Sequence, residues 1–447
     1  MIEKIFEAGV VGCGGAGFPT HVKLDTSADL LIINGAECEP VLKTDRYLML
    51  NRPTDLLCAI EAAAAHLGVK RAVIALKKTY LEEIAALEAA IKSSGSITEL
   101  FLLDNFYPAG DEHIVCYEVS GAVVPPGGIP RDIGIVVSNV GTMICVSDAL
   151  KGRGFTHKYV TVAGHVPQPI VAHVPIGTSV AECIDSAGGA MDADYSVVVG
   201  GPLMGAVISR EQAQTEPVTK TTSGIIVLEK GAYLQNISQT GIAHMLNRAR
   251  AACVQCSFCT QLCPRHLLGH PLKPHRIMRK IAYSGLTPEI LDDEDVKQAL
   301  ICCGCGVCTQ FACPMQLQPD KINYIIKKEY AKADIRYDSK KEGCTALPQR
   351  DYRKVPSKRI AARVGVLPYY DQEMGKPVEY TPKKITVPLR QHIGAASRPV
   401  VTIGEDVFQG QLIAKCPEGQ LGANIHAGIG GYVSAIKNGK IFIERRQ

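Results

Sequence analysis

The chain contains no tryptophan, and only 6% of its 447 residues are aromatic. That argues against a platform that stacks nucleobases. Neither sign of charge dominates. Lys and Arg number 48 against 44 Asp and Glu, a formal +4, too little to imply a nucleic-acid partner. No apolar run approaches the ~20 residues that span a bilayer. The N-terminus, MIEKIFEAG, lacks the charged-then-apolar pattern of a signal segment, which predicts an intracellular, cytoplasmic chain. What is abundant is cysteine, at 17 residues, too many to be disulfides in a reducing compartment. At this length roughly two to four domains are expected.

Nine of the cysteines fall between Cys253 and Cys313. Cys253, Cys256, Cys259 and Cys263-Pro264 form C-x2-C-x2-C-x3-C-P, the spacing of a bacterial [4Fe–4S] ferredoxin. Cys302, Cys305, Cys308 and Cys313-Pro314 repeat it, with four residues in the last gap instead of three. In two-cluster ferredoxins the fourth cysteine of each run serves the other cluster. On that pattern Cys253, Cys256, Cys259 and Cys313 hold one cube, and Cys302, Cys305, Cys308 and Cys263 the other, with Cys303 spare. Zinc sites are usually built from paired C-x2-C units rather than triples closed by Cys-Pro. The basic stretch between the runs, Arg265 to Lys280, reads as a solvated loop or as a dock for an acidic electron partner.

Near the N-terminus, GVVGCGGAGFPTHVK holds a literal G-x-G-x-x-G at Gly12, Gly14 and Gly17. A dinucleotide fingerprint follows a strand and opens a helix. Here only Val10 and Val11 precede the glycines, and Pro19 disfavours a helical start at Phe18. Two readings stay open: a structural turn, or a loop whose backbone can approach a planar or phosphate-bearing ligand. Strands alternate with helices through residues 1–155, which implies a mainly parallel sheet. Residues 156–215 read as a small β-grasp module, 240–335 as a helical two-cluster domain, 336–380 as a polar linker and 381–447 as a small barrel.

Taken in order, GCGGAGFPT-x2-K, NGAECEP-x4-D, SNVGT and the two cysteine runs resemble the RnfC-like proteins and the flavin subunit of respiratory complex I. The resemblance implies a multidomain α/β plus β protein. Its parts would be a Rossmann-like FMN domain, an SLBB β-grasp module, a two-cluster ferredoxin-like helical domain and a C-terminal lipoyl-like barrel-sandwich domain. A barrel after the clusters rather than before them resembles the PduS-type cobalamin reductases of propanediol-utilisation microcompartments.

By that resemblance Gly12, Gly14 and Gly15 let backbone approach FMN, Lys23 pairs with its phosphate and Phe18 stacks on the nucleotide. Asn34, Glu37 and Glu39 lie at the flavin ring or the nicotinamide ribose, the two glutamates being the catalytic candidates. Tyr107, Gly110, Asp111 and Glu112 form a further flavin-site turn, and Ser138, Asn139 and Thr142 complete the set. The implied activity is an NADH-dependent oxidoreductase that passes electrons through FMN and two [4Fe–4S] clusters to cobalamin. Its implied location is within or at a bacterial microcompartment, with an adenosyltransferase or shell and cargo proteins as partners. The rival readings are an RnfC-type electron-transport subunit and an electron-carrier scaffold with a vestigial flavin site.

Two departures matter. No D-x-H-x-x-G corrinoid motif is present, so a corrinoid would visit rather than reside. The barrel also lacks the hairpin lysine of a swinging arm. It therefore reads as a separable docking module whose removal should spare NADH oxidation.

Overall fold

The computed structural model describes residues 1–338 and 343–446. Ser339 to Glu342, within the expected linker, and Gln447, at the end of the expected barrel, lie outside the described residues.

The first sheet has four parallel strands in the order Thr98–Leu103, Arg71–Lys77, Leu30–Gly35, Ile135–Asn139. Its central strands Leu30–Gly35 and Arg71–Lys77 are short apolar runs buried on both faces, while the edge strand Thr98–Leu103 is partly exposed. The alanine-rich helix Pro53–Leu67 begins at a proline and ends at Gly68 in the left-handed conformation. It packs with helix Val140–Leu150 on one face, and helix Glu112–Ser120 covers the other. The chain runs outward from Leu30–Gly35 in one direction and returns to its other side with Ile135–Asn139. This makes a topological switch point at the carboxyl ends of those two strands, where open α/β sheets bind ligands.

The second sheet has six strands, and Gly224–Glu229 lies inside it, parallel to His157–Gly164 and antiparallel to Tyr195–Val199. The expected module ended at 215 and so omitted this strand. GIIVLE carries a continuous apolar run of five residues, Gly224 to Leu228, too short for periodicity to identify.

Residues 343–379 are not a linker. Val355–Pro356 pairs with Phe106–Tyr107, and helix Ser357–Arg363 follows. Val355, Ile360, Val364 and Val366 are buried in one cluster with Tyr107, Val41 and Leu203. The apolar residues come in short groups between basic and polar ones, so the segment's composition reads as polar while its inward face is core.

Residues 384–444 form two facing sheets around Ile385, Val407, Ile413, Val433 and Ile441. Between the second sheet and the barrel, helices Ile242–Ala252, Pro274–Ser284 and Pro319–Lys332 pack around Met245, Ile277, Ile281, Ile322 and Ile326. Among the described residues no helix is long and apolar enough to cross a membrane.

Candidate functional site

A cavity of about 1030 Å³ opens at the switch point. Gly14 and Gly15 form part of its wall, together with Asn34, Glu37, Glu39, Tyr107, Gly110, Asp111 and Asn139. Gly15 sits at φ +114, and a Cβ built there meets nothing within 4 Å. Only glycine adopts that conformation without strain, and it leaves bare backbone facing the cavity. Asn34 ties two wall segments together. Its Nδ2 donates to the Gly110 carbonyl at 2.8 Å and its Oδ1 accepts from Ala36 N–H at 3.2 Å.

The other expected site residues lie off the wall. Gly12 N–H donates to the Phe18 carbonyl at 2.9 Å, closing the glycine turn, and the Phe18 ring points outward. Lys23 pairs with Glu112 at 2.6 Å near the surface. Ser138 is buried in its strand. Thr142 supports the loop from behind, its Oγ1 accepting from Cys13 N–H at 2.9 Å.

Two wall carboxyls are strongly perturbed. Glu37 accepts from Asp45 N–H at 2.6 Å, and burial, then the charge of Asp45, raises it to about 8. Glu39 accepts from Leu203 N–H at 2.8 Å and lies 3.3 Å from the Tyr107 hydroxyl oxygen, and burial raises it to about 7. Gly201 makes room for it, since a Cβ there would lie 2.2 Å from the Glu39 side chain. A carboxyl raised on folding stays neutral while the unfolded chain ionises, so its contribution to stability falls as pH rises from about 4.5 through 7. Glu39→Gln removes that dependence. Thermal midpoints should show the variant at or below wild type at pH 5 and above it at pH 8, and a constant gap would refute the assignment.

The sequence reading gave Asp45 and Lys158 no role. Asn139 Nδ2 donates to Asp45 at 2.5 Å, which also accepts from Gly141 N–H at 3.3 Å. Asp45 was visible as the last residue of NGAECEP-x4-D. Lys158, 5% exposed on the second sheet, reaches the Cys13 carbonyl at 3.4 Å and adds a cation to the wall. No local signal marks it.

The cysteine runs fold as near copies. Gln255 and Ser257 flank Cys256 at φ +56 and +59, and Gly304 and Gly306 flank Cys305 at +71 and +73. Both loops therefore turn through left-handed backbone on either side of the middle cysteine, which aims successive thiols inward. The extra residue of the second run is taken up by a π-turn, Cys308–Ala312. Cys313-Pro314 thus keeps the place that Cys263-Pro264 holds in the first.

The thiols gather around two pockets. One is lined by Cys253, Cys256, Cys259 and Cys313, the other by Cys263, Cys302, Cys305 and Cys308, with Cys303 beside them. Asn323, 1% exposed, lies in the second pocket, where its amide faces the Cys302 thiol and has no other hydrogen-bond partner. A buried amide short of partners costs free energy unless an acceptor arrives, and cluster sulfur is such an acceptor. Four thiols around one pocket, with an amide donor beside them, are the donor set that a [4Fe–4S] cube takes.

The second pocket adjoins the large cavity. Cys303 and Cys305 line both, and the Tyr107 hydroxyl donates to the Cys305 carbonyl at 2.8 Å. Arg265, directly after Cys263-Pro264, turns inward rather than into solvent. It forms a two-pronged pair with Asp111 at 2.5 and 2.9 Å, with side chains only 9% and 13% exposed. Asp111 also caps helix Glu112–Ser120. Breaking a buried pair from one side strands the other charge, at about 3–5 kcal/mol. Arg265→Ala should lower the thermal midpoint by several degrees, and Arg265→Ala with Asp111→Asn should recover part of the loss. No recovery in the double variant would show that the two side chains act independently.

Four family models match in chain order. They are the Nuo51 FMN-binding domain over residues 5–148, the SLBB domain over 159–207, the 4Fe-4S dicluster domain over 252–318 and the RnfC barrel sandwich hybrid domain over 363–446. The chain is 39% identical over 445 residues to the cobalamin reductase PduS of Salmonella typhimurium, covering 99% of this chain and 96% of that one. It is 38% identical to the PduS of Citrobacter freundii, with the same coverage. A component of the proton-translocating ferredoxin:NAD(+) oxidoreductase complex of Clostridium ljungdahlii is 34% identical over 273 residues, 60% of this chain and 56% of that protein.

Proposed function

Because the chain belongs to the PduS family of cobalamin reductases, we propose that it takes electrons from NADH, carries FMN and two [4Fe–4S] clusters, and reduces cobalamin. The observation that carries this reading is the shared wall. Residues of the second cysteine run line the flavin cavity and a cluster pocket at once. Bound FMN supplies the conversion between a two-electron hydride donor and one-electron carriers.

The chain's residues divide the remaining work. The backbone of Gly14 and Gly15 offers a close approach for the flavin, and Asn34 and Asn139 fix the wall segments on either side. Lys158 on the wall and Lys23 nearby are the cations offered to the phosphate. Lys23 must first exchange its contact with Glu112. Glu37, raised by burial to about 8 and so largely neutral near pH 7, and Glu39, raised to about 7 and so about half neutral there, can donate hydrogen bonds toward the nicotinamide ribose with less repulsion of the dinucleotide's phosphates. Tyr107 and Asp111 clamp the cavity wall to the cluster loops through Cys305 and Arg265. Cys263, Cys302, Cys305 and Cys308 hold the cluster nearer the flavin, and Cys253, Cys256, Cys259 and Cys313 the farther one.

The test is an anaerobic mixture of the loaded protein, NADH and cobalamin, followed by the corrin spectrum. Reduction that requires both protein and NADH supports the proposal. The match to a ferredoxin:NAD(+) oxidoreductase complex favours one other acceptor, a ferredoxin. Efficient ferredoxin reduction with an unchanged corrin spectrum would select it. The further partners we propose are an adenosyltransferase, which would receive the reduced corrinoid before it reoxidises, and the proteins of a bacterial microcompartment. The barrel's outer face carries exposed Val400, Ile403 and Phe408 and remains available to them.

A further inference from the structure

Cys13 and Cys145 belong to neither tetrad, yet they meet. Cys13 sits inside the glycine loop, between Gly12 and Gly14. Cys145 lies on helix Val140–Leu150, three residues after Thr142 and so on the same face. Thr142 accepts the Cys13 N–H, which docks the loop on that face and leaves the two Sγ atoms 3.8 Å apart. Both residues line the large cavity, Cys13 at 3% exposure and Cys145 partly exposed.

Their environments are unequal. The hydrogen bond shared with Cys145, aided by the charge of Lys158, lowers Cys13 to about 6 despite its burial. The same hydrogen bond, together with burial, pushes Cys145 up. One thiol is therefore set to attack and the other to follow, the arrangement that thiol–disulfide exchange requires.

We propose that Cys13 and Cys145 form a redox-active dithiol, a modification site in the wall of the flavin cavity that closes to an internal disulfide when it meets a small-molecule disulfide of the glutathione class. The Cys13 thiolate attacks one sulfur of R–S–S–R, whose S–S bond breaks to release one thiolate, and a mixed disulfide forms. The Cys145 thiol gives up its proton and attacks the Cys13 sulfur of that mixed disulfide, releasing the second thiolate. The two protons of the protein thiols end on the two departing thiolates. In sum, two protein thiols and R–S–S–R give one protein disulfide and two R–SH, with two electrons passing to the oxidant. The sulfurs must close from 3.8 Å to about 2.05 Å, which ties the flavin loop to the helix behind it. The pair is defined by the chain itself and does not depend on the electron acceptor proposed above.

The test treats the protein with both clusters in place, under anaerobic conditions, with oxidised glutathione. Remaining thiols are blocked with N-ethylmaleimide, and the digest is mapped by mass spectrometry. The expected product in most chains is a peptide pair joined through Cys13 and Cys145, cleaved by dithiothreitol. In Cys145→Ser the reaction should stop halfway, with glutathione retained on Cys13. In Cys13→Ser, Cys145 should be recovered as the maleimide adduct. Recovery of both cysteines as maleimide adducts in the wild type would overturn the proposal. So would a stable glutathione adduct on wild-type Cys13 without the cross-link.

Discussion

Cys302→Ser is expected to reduce the iron content from about eight atoms per chain to about four, and to stop electrons at the flavin. Cys302 lines the pocket that adjoins the flavin cavity, whereas Cys253 lines the other. Cys253→Ser should lose the same amount of iron with a different consequence, since NADH should still reduce the remaining cluster. The two variants are therefore equal by iron analysis and unequal by anaerobic reduction with NADH. Equal behaviour in both assays would remove the order of carriers inferred from the shared wall. Loss of all iron in either variant would show that the two pockets do not fill independently. The crossed assignment is checked at the same time. Cys263→Ser should resemble Cys302→Ser, although it sits in the first run.

The second large effect concerns the barrel. Removing residues 381–447 should abolish FMN retention, to below about a tenth of wild type. The sequence reading makes this barrel a separable docking module whose loss spares NADH oxidation, and the packing contradicts that. Lys220, 1% exposed, places its Nζ 2.7 Å from the Gly9 carbonyl and 2.6 Å from the Asn424 carbonyl, joining the first domain to the barrel. Ala423 shares a small core with Val11, Cys13 and Phe155. Ile393 N–H donates to the Ala16 carbonyl at 3.2 Å, and Gln409 reaches the cavity wall. Gly9 has φ +69, and a Cβ there would stand 2.1 Å from the Asn424 oxygen.

The barrel thus backs the glycine loop, and without it the loop loses the surface that shapes it. A milder version is Lys220→Met, which leaves two buried carbonyls unpaired at about 1–3 kcal/mol each. It should weaken flavin binding while both clusters stay. Flavin content per chain, measured after release, decides the matter. Full retention in the truncated protein would restore the docking-module reading.

What could be read in advance follows from how each feature is encoded. The tetrads are local spacings, and the crossed fourth cysteines follow a pattern that any two-cluster chain shares. The glycine loop was ambiguous alone and became informative only beside NGAECEP and SNVGT, because three weak signals in a fixed order exclude most accidents. The four-residue gap before Cys313 was visible, but its meaning required the backbone, since a π-turn leaves no composition signal.

The features that join domains were not legible. Arg265 lies in a basic stretch that reads as solvated, and only the fold brings it to Asp111, 154 positions away. Lys158, Lys220 and Cys145 are likewise single residues whose partners are distant in sequence. The buried face of residues 343–379 was hidden by the charges between its apolar positions.

The central claim is that the flavin cavity delivers electrons to the cluster of Cys263, Cys302, Cys305 and Cys308 before any acceptor receives them. The most direct measurement adds stoichiometric NADH anaerobically to wild type and to Cys302→Ser, both loaded with FMN. Flavin absorbance, the cluster electron paramagnetic resonance signal and the corrin spectrum are followed together. The account predicts that wild type bleaches its flavin, develops a reduced-cluster signal and reduces added cobalamin. It predicts that Cys302→Ser bleaches its flavin and does neither of the other two. Cobalamin reduction by Cys302→Ser at the wild-type rate would contradict it.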